Sequence, residues 1–360
     1  MNQKQVLHIL PADGRRGAQQ HARALCDRLQ TLEESHRILT IFRPQSGDEH
    51  AILRAEVELG VPKTLLRRIG FEPRAATRLG KKLRDLQPHV VIAHGGESLK
   101  YAAMVRTQGT PLIYHKIGTL PAAVRRPSPR RALQRATVRR ASFVVCVSED
   151  VRREAHEVLA VPVDRSAAIP NGRDPDIFFP SAGREREPCV VFVGQLVETK
   201  RPRLFIELVE QLRHEGRPFR ALMVGDGPLR PTLEHMARRA NVELLGRRND
   251  VAAILRDSDV FVFTSERAGE GMPGVLIEAG LTGLAVVATD VPGARSVVED
   301  GVTGFVVPDS AGLLHSVRTL VSNSELRRRM GDAARKKCLA EFAIDVGVQR
   351  WRTLIRRLAP

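Results

Sequence analysis

Short apolar runs alternate with amphipathic stretches along the whole chain. The runs are rich in Val and Ile with little polar alternation, which is typical of parallel strands covered on both faces. Twelve such runs are visible, at 6–10, 37–42, 89–94, 112–116, 143–148, 167–170, 189–194, 220–224, 242–246, 260–265, 284–289 and 304–307. Stretches between them, such as 18–31, 202–215 and 228–240, have helical character. The pattern predicts an α/β fold of two successive Rossmann-like, doubly wound domains.

A cluster of four prolines and two glycines between residues 170 and 188 has the composition of a linker. We therefore predict an N-terminal domain over 1–178 and a C-terminal domain over 179–340. A final amphipathic, basic helix over 341–360 contains Trp351 and is expected to pack back on the N-terminal domain. Ligands of open α/β sheets bind beyond the carboxyl ends of the strands, so we expect the two domains to face each other across a cleft.

The composition is that of a soluble globular protein, with 42% hydrophobic and 27% charged residues among 360. No apolar run of about 18 uncharged residues predicts a membrane span, and the first strand lacks the features of a secretory signal. The four cysteines lie far apart and form no C-x-x-C pair, so neither disulfides nor a zinc site are expected. These features favour a cytoplasmic protein.

Positive charge is concentrated in the first half of the chain. The net charge is +16, and residues 1–178 hold 30 Lys and Arg against 18 Asp and Glu. Between Glu97 and Glu149 ten basic residues occur and no acidic one. Such a field attracts phosphates, anionic lipids or nucleic acid, although a solvated basic surface would have the same composition.

Two carboxylates, Glu270 and Glu278, are separated by seven residues in the segment E-G-M-P-G-V-L-I-E. Glu270 follows the predicted strand at 260–265, and Glu278 lies on a helix that opens near Pro273. A glycine-rich loop and a helix N-terminus can together present several N–H groups to a phosphate. A carboxylate farther along that helix can accept hydrogen bonds from the vicinal hydroxyls of a ribose.

Other motifs surround this pair in a fixed order. They are I-P-N-G-R-D at 169–174, V-G-Q-L-V-E-T-K at 193–200, V-G-D-G-P at 224–228, D-V-F-V-F-T-S at 259–265, V-V-A-T-D at 286–290 and D-G-V-T-G-F-V-V at 300–307. In this order and spacing the chain closely resembles the retaining glycosyltransferases of family 4, which have the GT-B fold. The resemblance extends over nearly the whole chain and is most specific between residues 169 and 307.

The resemblance implies roles for residues of the second domain. Glu278 would bind the donor ribose, and Glu270 would lie by the hydroxyls of the transferred sugar. The loop formed by Gly271, Met272, Pro273 and Gly274 would offer backbone amides to the sugar and diphosphate. Lys200 would contact the diphosphate, where its charge stabilises the negative charge that develops as the glycosidic bond breaks.

In the first domain, the resemblance points to a glycine-rich turn and a strand-end histidine. Gly14 and Gly17 belong to a turn after the first strand that would approach the diphosphate. His115 would lie by the donor sugar or the reaction centre, with His94 a further candidate at a strand end. A lone histidine at such a position is otherwise explained by packing or solvent contact.

Three departures from the family pattern concern the donor site. Gln195 stands where the family usually has Arg, so one phosphate-binding cation is absent, and either Arg201 or an arginine of the N-terminal domain is expected to compensate. Ser296 and Gln19 replace family glutamates.

Metal dependence is not expected. Two D-x-D triplets, at 174–176 and 257–259, lie at an interdomain turn and a helix–strand junction, and chance triplets are expected among 41 acidic residues. We therefore predict no metal and no other cofactor, because the UDP- or GDP-linked sugar is a substrate.

The predicted activity is sugar transfer from a nucleotide sugar to a glycan or lipid-linked acceptor in cell-envelope synthesis.

Arg131, Arg135 and Arg139 recur every four residues and would lie on one face of a helix. Such a face predicts an acceptor or anionic-membrane surface. Peripheral association with the inner face of the plasma membrane would follow. No nucleic acid is expected as a partner, because the sequence contains no helix-turn-helix, zinc-finger or RNP-type motif. The alternatives are a nucleotide-sugar- or nucleic-acid-binding protein without transferase activity, and a nucleotide-sugar epimerase.

Overall fold

The computed structural model of the protein contains two parallel β-sheets. It describes residues 3–13, 17–30, 34–43, 54–62, 64, 70–105, 109–181, 187–267 and 270–359. The chain divides into two units. Unit 1 comprises Met1–Asn171 and Ile344–Pro360, and unit 2 comprises Gly172–Ala343. The α/β prediction with two Rossmann-like domains is confirmed.

Unit 1 contains a seven-stranded sheet. Its strands are β1 Lys4–Leu10, β2 Glu34–Phe42, β3 Val57–Val61, β4 Val90–His94, β5 Leu112–Lys116, β6 Phe143–Cys146 and β7 Ser166–Ala168. They pair in parallel in the order β3-β2-β1-β4-β5-β6-β7. The strand order reverses between β1 and β4, as in a doubly wound sheet. Strand β3 was not predicted, because it is a short edge strand in which only Val57 and Val61 are buried and which includes Gly60 at φ +58°.

The helices of unit 1 connect these strands, and two of them begin at a serine that caps the helix. They are α1 Gly17–Leu29, α2 Pro73–Leu86, α3 Gly95–Met104, α4 Ala122–Arg125, α5 Pro129–Arg139 and α6 Glu149–Leu159. The hydroxyls of Ser128 and Ser148 accept hydrogen bonds from the backbone amides of Arg131 and Val151 at the starts of α5 and α6.

The last helix of the chain, α14 Ile344–Leu358, packs within unit 1. Its apolar face contains the fully buried Trp351 and contacts residues of α1 and of strands β1, β4 and β5, such as Leu25, Ile92 and Ile113. Burial of this face explains the strong amphipathic pattern of the helix.

Unit 2 contains a six-stranded parallel sheet between two helical layers. Its strands are β8 Cys189–Val193, β9 Arg220–Val224, β10 Glu243–Gly246, β11 Val260–Phe263, β12 Ala285–Thr289 and β13 Gly304–Val307, in the order β10-β9-β8-β11-β12-β13. Its helices are α7 Pro202–His214, α8 Arg230–Arg239, α9 Val251–Arg256, α10 Gly274–Leu281, α11 Ala294–Val297, α12 Ser310–Ser322 and α13 Ser324–Phe342. The two apolar clusters of the unit lie on opposite faces of this sheet.

The division between the units falls at Asn171 and Ala343, whereas the sequence predicted 178 and 340. The segment after Asn171 belongs to unit 2 because its backbone and side chains pack there. The amide of Arg173 donates to the carbonyl oxygen of Phe342 at 2.9 Å, and Phe178 packs against the unit 2 core.

None of the helices in the described ranges is both long and apolar enough to cross a membrane.

Candidate functional site

The strand order of unit 2 reverses between β8 and β11, and the segments that follow these two strands carry Lys200 and Glu270. At such a switch point neighbouring loops diverge and leave a crevice at the carboxyl ends of the strands. Parallel pairing of β8 with β11 brings the two segments to the same sheet edge. The expected donor-binding residues of unit 2 are therefore grouped by the topology.

Hydrogen bonds from the end of β11 fix the backbone around Lys200. The hydroxyl of Thr264, which is fully buried, donates to the carbonyl oxygen of Lys200 at 2.7 Å. The amide of Glu266 donates to the carbonyl oxygen of Thr199 at 2.8 Å. The Lys200 ammonium lies 5.6 Å from the centroid of the Phe263 ring. This cation is thus held by β11 as well as by its own loop.

Lys200 Nζ forms an ion pair with Glu270 Oε1, and the two side chains are 30% and 14% exposed. The sequence predicted both residues at the site, and the structure joins them directly. An ammonium paired with a carboxylate is partly neutralised, so a phosphate that replaces the carboxylate gains a cation already in position. The Lys200 ammonium is therefore positioned to bind an anionic ligand that replaces the Glu270 carboxylate.

The second carboxylate, Glu278, lies in the middle of α10 and is held by an arginine. Arg173 Nε donates to Glu278 Oε1 at 2.6 Å, and the two side chains are 13% and 15% exposed. The guanidinium also covers Gly274, where a Cβ would collide with it. Arg173 lies in the I-P-N-G-R-D motif at 169–174 but was not predicted as a site residue. The signal was an arginine between a glycine and an aspartate in a turn.

The loop from Gly271 to Gly274 links the two carboxylates. Gly271 and Pro273 are buried, Met272 and Gly274 are half-buried, and α10 begins at Gly274 without a side-chain cap. Gly293 has φ +79°, and a Cβ on it would lie 2.7 Å from the carbonyl oxygen of Gly271 and 2.9 Å from Met272 Cα. The turn before α11 thus supports this loop from one side and requires glycine to do so.

We expect Gly293→Ala to weaken nucleotide binding as well as stability. The new methyl group must displace the Gly271–Met272 backbone, and the left-handed conformation costs about 1–2 kcal/mol for an alanine. Gly301→Ala is the matched control, since Gly301 has φ +77° and no atom within 4 Å of an added Cβ. Melting temperature and nucleotide affinity are measured for both. Equal affinities in the two variants would contradict the role of Gly293.

The turns after β8 and β9 contact each other closely. Gly194 N donates to the carbonyl oxygen of Val224 at 3.0 Å, and Leu196 N donates to that of Asp226 at 3.0 Å. Gly225 has no room for a Cβ against the Gly194 carbonyl. Gln195 is exposed in the first of these turns, and Arg201, the N-cap residue just before α7, has φ +49°. Their proposed contact with a donor stays a prediction.

In unit 1, Gly17 is the exposed first residue of α1, whereas Gly14 lies outside the described residues. The proposed approach of this turn to a diphosphate stays a prediction.

His115 differs from the expectation of a side chain that faces a ligand. Its ring is fully buried, packs edge-on against Trp351 at a centroid distance of 5.3 Å, and shares a 3.0 Å Nδ1–Nδ1 hydrogen bond with His94. Burial lowers the pKa of His115 to about 3, so the ring is neutral at physiological pH. The last helix covers β5 here, which the sequence pattern around residue 115 did not reveal.

Two further histidines extend this contact into a chain across neighbouring strands. His94 Nε2 lies 3.0 Å from His8 Nδ1, and His8 Nε2 lies 3.0 Å from His36 Nδ1. We define the buried residues His8, His36, His94 and His115 as the histidine chain. His94 therefore also has a structural contact where the sequence suggested a ligand contact.

The arginines of α5 are only partly available to a partner. Arg131 Nε and Arg135 Nε donate to the carbonyl oxygen of Val158 at 2.9 and 2.8 Å, near the end of α6. Arg139 is exposed, as expected. A depression of about 560 Å³ follows this side of α5 and is lined by residues between Pro127 and Arg139. The predicted stripe exists, but two of its members bind the carbonyl end of α6.

No group of three or more His, Cys, Asp or Glu side chains in the described part of the chain is arranged to hold a metal ion. In the two D-x-D triplets, Asp174 accepts a hydrogen bond from the amide of Asp176, and Asp259 accepts one from the amide of Cys189.

Two family models together match most of the chain. The model "Glycosyltransferase Family 4" matches residues 15–177, and "Glycosyl transferases group 1" matches residues 174–337. The chain belongs to the family 4, group 1 glycosyltransferases. The resemblance inferred from the motifs is thereby confirmed.

Curated relatives and solved structures agree with this family. The chain is 26% identical over 237 residues to the N-acetyl-alpha-D-glucosaminyl L-malate synthase of Bacillus anthracis, a match that covers 62% of this chain and 61% of that protein. It is 26% identical over 296 residues to the UDP-Gal:alpha-D-GlcNAc-diphosphoundecaprenol alpha-1,3-galactosyltransferase of Escherichia coli, covering 75% and 76%.

Among solved structures, HepE of Anabaena in complex with UDP has a TM-score of 0.78 at 19% identity, over 99% of this chain and 100% of that one. At this identity the likeness shows the fold, which is that of a glycosyltransferase with two Rossmann-like domains. HepE has also been solved with UDP-glucose.

Proposed function

We propose that this glycosyltransferase is a retaining enzyme that transfers a sugar from a UDP- or GDP-linked donor to an acceptor hydroxyl. The observation that supports the proposal is the Lys200–Glu270 ion pair at the switch point of the unit 2 sheet. Glu278 follows on the helix that the same loop leads into. The cation proposed for the diphosphate is thus paired with Glu270, and from Glu270 the chain runs directly into the helix that carries the carboxylate proposed for the ribose.

In the proposed reaction Lys200 stabilises the departing nucleoside diphosphate, whose negative charge grows as the bond to the anomeric carbon breaks. The amides of the loop from Gly271 to Gly274 and the dipole of α10 act on the same charge. The acceptor oxygen attacks from the face that the diphosphate leaves. Its proton passes to the leaving phosphate oxygen. No covalent intermediate and no cofactor are required in this scheme.

The relatives guide the choice of donor and acceptor. The name of the Escherichia coli relative specifies a UDP-linked sugar and a sugar carried on diphosphoundecaprenol, and HepE binds UDP and UDP-glucose. We propose that the acceptor here is a glycan or lipid-linked saccharide of the cell envelope.

A panel of UDP-, GDP- and ADP-sugars tested by thermal shift would identify the donor, because a ligand that binds only the folded protein raises its melting temperature. We expect Glu278→Ala to remove the shift. Glu207→Ala, an exposed glutamate on α7, should keep it. No shift with any of the nucleotides would contradict the proposed site.

The stereochemistry is tested by NMR of the transferred product with the donor so identified. A product with the donor's anomeric configuration is expected. Inversion would overturn the retaining mechanism, and conversion of the donor without transfer would favour an epimerase.

We further propose that α5 and the turn before it bind an anionic membrane surface. Arg126, Arg130 and Arg139 are exposed there, and Leu133 between them is 68% exposed. A cationic helix with an exposed apolar residue suits the headgroup region of an anionic bilayer, where each basic residue contributes about 1 kcal/mol. A peripheral position at such a membrane would bring the enzyme to a lipid-linked acceptor.

Vesicles that contain anionic lipid should sediment the protein at low salt, whereas neutral vesicles should not. Charge reversal at Arg130 and Arg139 should reduce the bound fraction at least about tenfold, because four units of charge change near the surface. Reversal of the exposed Arg238 and Arg328 in unit 2 changes the total charge equally and is the control. Equal binding by the two double variants would contradict the proposed surface.

A further inference from the structure

Arg173 holds the carboxylate that we propose as the ribose acceptor, and this contact gives the arginine a place in the donor site. The inference rests on the proposed function. Arg173 Nε and Glu278 Oε1 are 2.6 Å apart although the residues are separated by 105 positions in sequence. Both side chains are more than four-fifths buried. Such a pair fixes the carboxylate in one orientation.

The position of the arginine is set by its backbone. Its amide donates to the carbonyl oxygen of Phe342, and Arg173 forms a parallel bridge with Ala343 at the end of α13. The side chain therefore starts from a fixed point in unit 2 and extends across Gly274 to Glu278. A residue larger than glycine at position 274 would displace the guanidinium.

A guanidinium has N–H donors on three nitrogens in a planar fork. Nε of Arg173 is directed at Glu278, and Nη1 donates to the carbonyl oxygen of Gly172 at 3.2 Å. Nη2 is the atom that lies against Gly274. One side chain thus contacts both the carboxylate proposed for the ribose and the loop proposed for the diphosphate.

Gln195, in the turn after β8, is exposed and uncharged, so it cannot bind a phosphate through an ion pair. Arg173 adds a cation from a different segment of unit 2. We propose that Arg173 is a donor-binding residue that keeps Nε on Glu278 and donates from Nη2 to the diphosphate. It couples recognition of the ribose to recognition of the phosphates.

Three variants test this with two probes: whichever of UDP and GDP stabilises the wild type more, and the corresponding nucleoside. Arg173→Met removes the charge and keeps the length of the side chain. We expect it to weaken binding of the diphosphate at least about tenfold and binding of the nucleoside about threefold or less. Arg173→Lys keeps the charge and should lose less affinity for the diphosphate than Arg173→Met. Arg239→Met removes an exposed arginine that pairs with Glu210 and should bind both probes as the wild type does.

Titration calorimetry measures the dissociation constants, and melting temperatures report whether each variant folds. Equal losses for diphosphate and nucleoside would mean that Arg173 only orients Glu278, and would overturn the proposal. Unchanged diphosphate binding in Arg173→Met would also overturn it. If the wild type binds neither UDP nor GDP, the proposed function itself fails. Wild-type binding together with the selective loss supports both.

Discussion

Lys200→Met is expected to reduce kcat/KM for sugar transfer by about two to three orders of magnitude, the loss seen when one preorganised donor to a developing negative charge is removed. The decrease should fall mainly on kcat. The diphosphate carries more charge on the leaving oxygen in the transition state than in the bound donor, so the ammonium stabilises the transition state more. The fixed backbone around Lys200 supports this, because a preorganised cation needs little rearrangement.

The matched control is Lys336→Met, which removes an exposed lysine from α13 of the same unit. Steady-state kinetics with saturating acceptor measure both variants, and circular dichroism shows whether they fold. If Lys200→Met keeps its kcat within about threefold of the wild type, Lys200 does not stabilise the leaving group. A change in KM alone would assign it to ground-state binding of the donor.

The sequence predicts that Lys200 and Glu270 lie close together, because both residues follow strand ends. Lys200 and Glu270 each come a few residues after an apolar run, and parallel strands place such segments at one sheet edge. The hydrogen bond from Thr264 to Lys200 is consistent with the same pattern, since Thr264 ends the run at 260–265. Strand order and motif order together were enough to bring Lys200 and Glu270 together, whereas their roles in donor binding stay a prediction.

The Arg173–Glu278 pair could not be predicted in this way. Nothing in the spacing of the two residues indicates contact, because it depends on how the segment after Asn171 crosses unit 2. The same holds for Arg131 and Arg135. Helical periodicity places them on one face, but the carbonyl of Val158 that they bind belongs to another helix.

The histidine chain depends on strand order rather than on sequence order. His36, His8, His94 and His115 belong to β2, β1, β4 and β5, which are neighbours in the sheet. Read along the sequence, residues 8, 36, 94 and 115 are four histidines on separate strands, and nothing in that order indicates that they contact one another. Only the reversal between β1 and β4 brings His8 next to His94.

The histidine chain makes the stability of unit 1 depend on pH, because its imidazole rings must stay neutral when buried. Burial lowers the pKa of His36 to about 4 and of His115 to about 3, and it lowers the pKa values of His8 and His94 well below 6.5. At His36, the nearby Glu34 raises the pKa and Arg352 lowers it further. At His8, Arg23 lowers the pKa further. The unfolded chain, in contrast, takes up protons near pH 6.5.

Between pH 6.5 and about 4 the unfolded state therefore binds more protons than the folded state, and the free energy of unfolding must fall as the pH falls. Each histidine that stays neutral in the folded state lowers the free energy of unfolding by about 2 kcal/mol between pH 7 and pH 5. Several such groups amount to a large part of the 5–15 kcal/mol that stabilises an ordinary domain. We expect unit 1 to be fully stable above pH 7 and to unfold in this acidic window before most carboxylates titrate.

Trp351 is the single tryptophan of the chain and lies in unit 1 against His115, so its fluorescence during urea unfolding reports this unit. His115→Phe should flatten the slope of unfolding free energy against pH by up to one proton, about 1.4 kcal/mol per pH unit. The phenyl ring can preserve the edge-on contact with Trp351. His315→Gln, at an exposed position of α12, should leave the slope unchanged. A wild-type slope near zero between pH 5 and pH 6.5 would mean that the buried rings accept protons without unfolding, and would contradict the neutral chain.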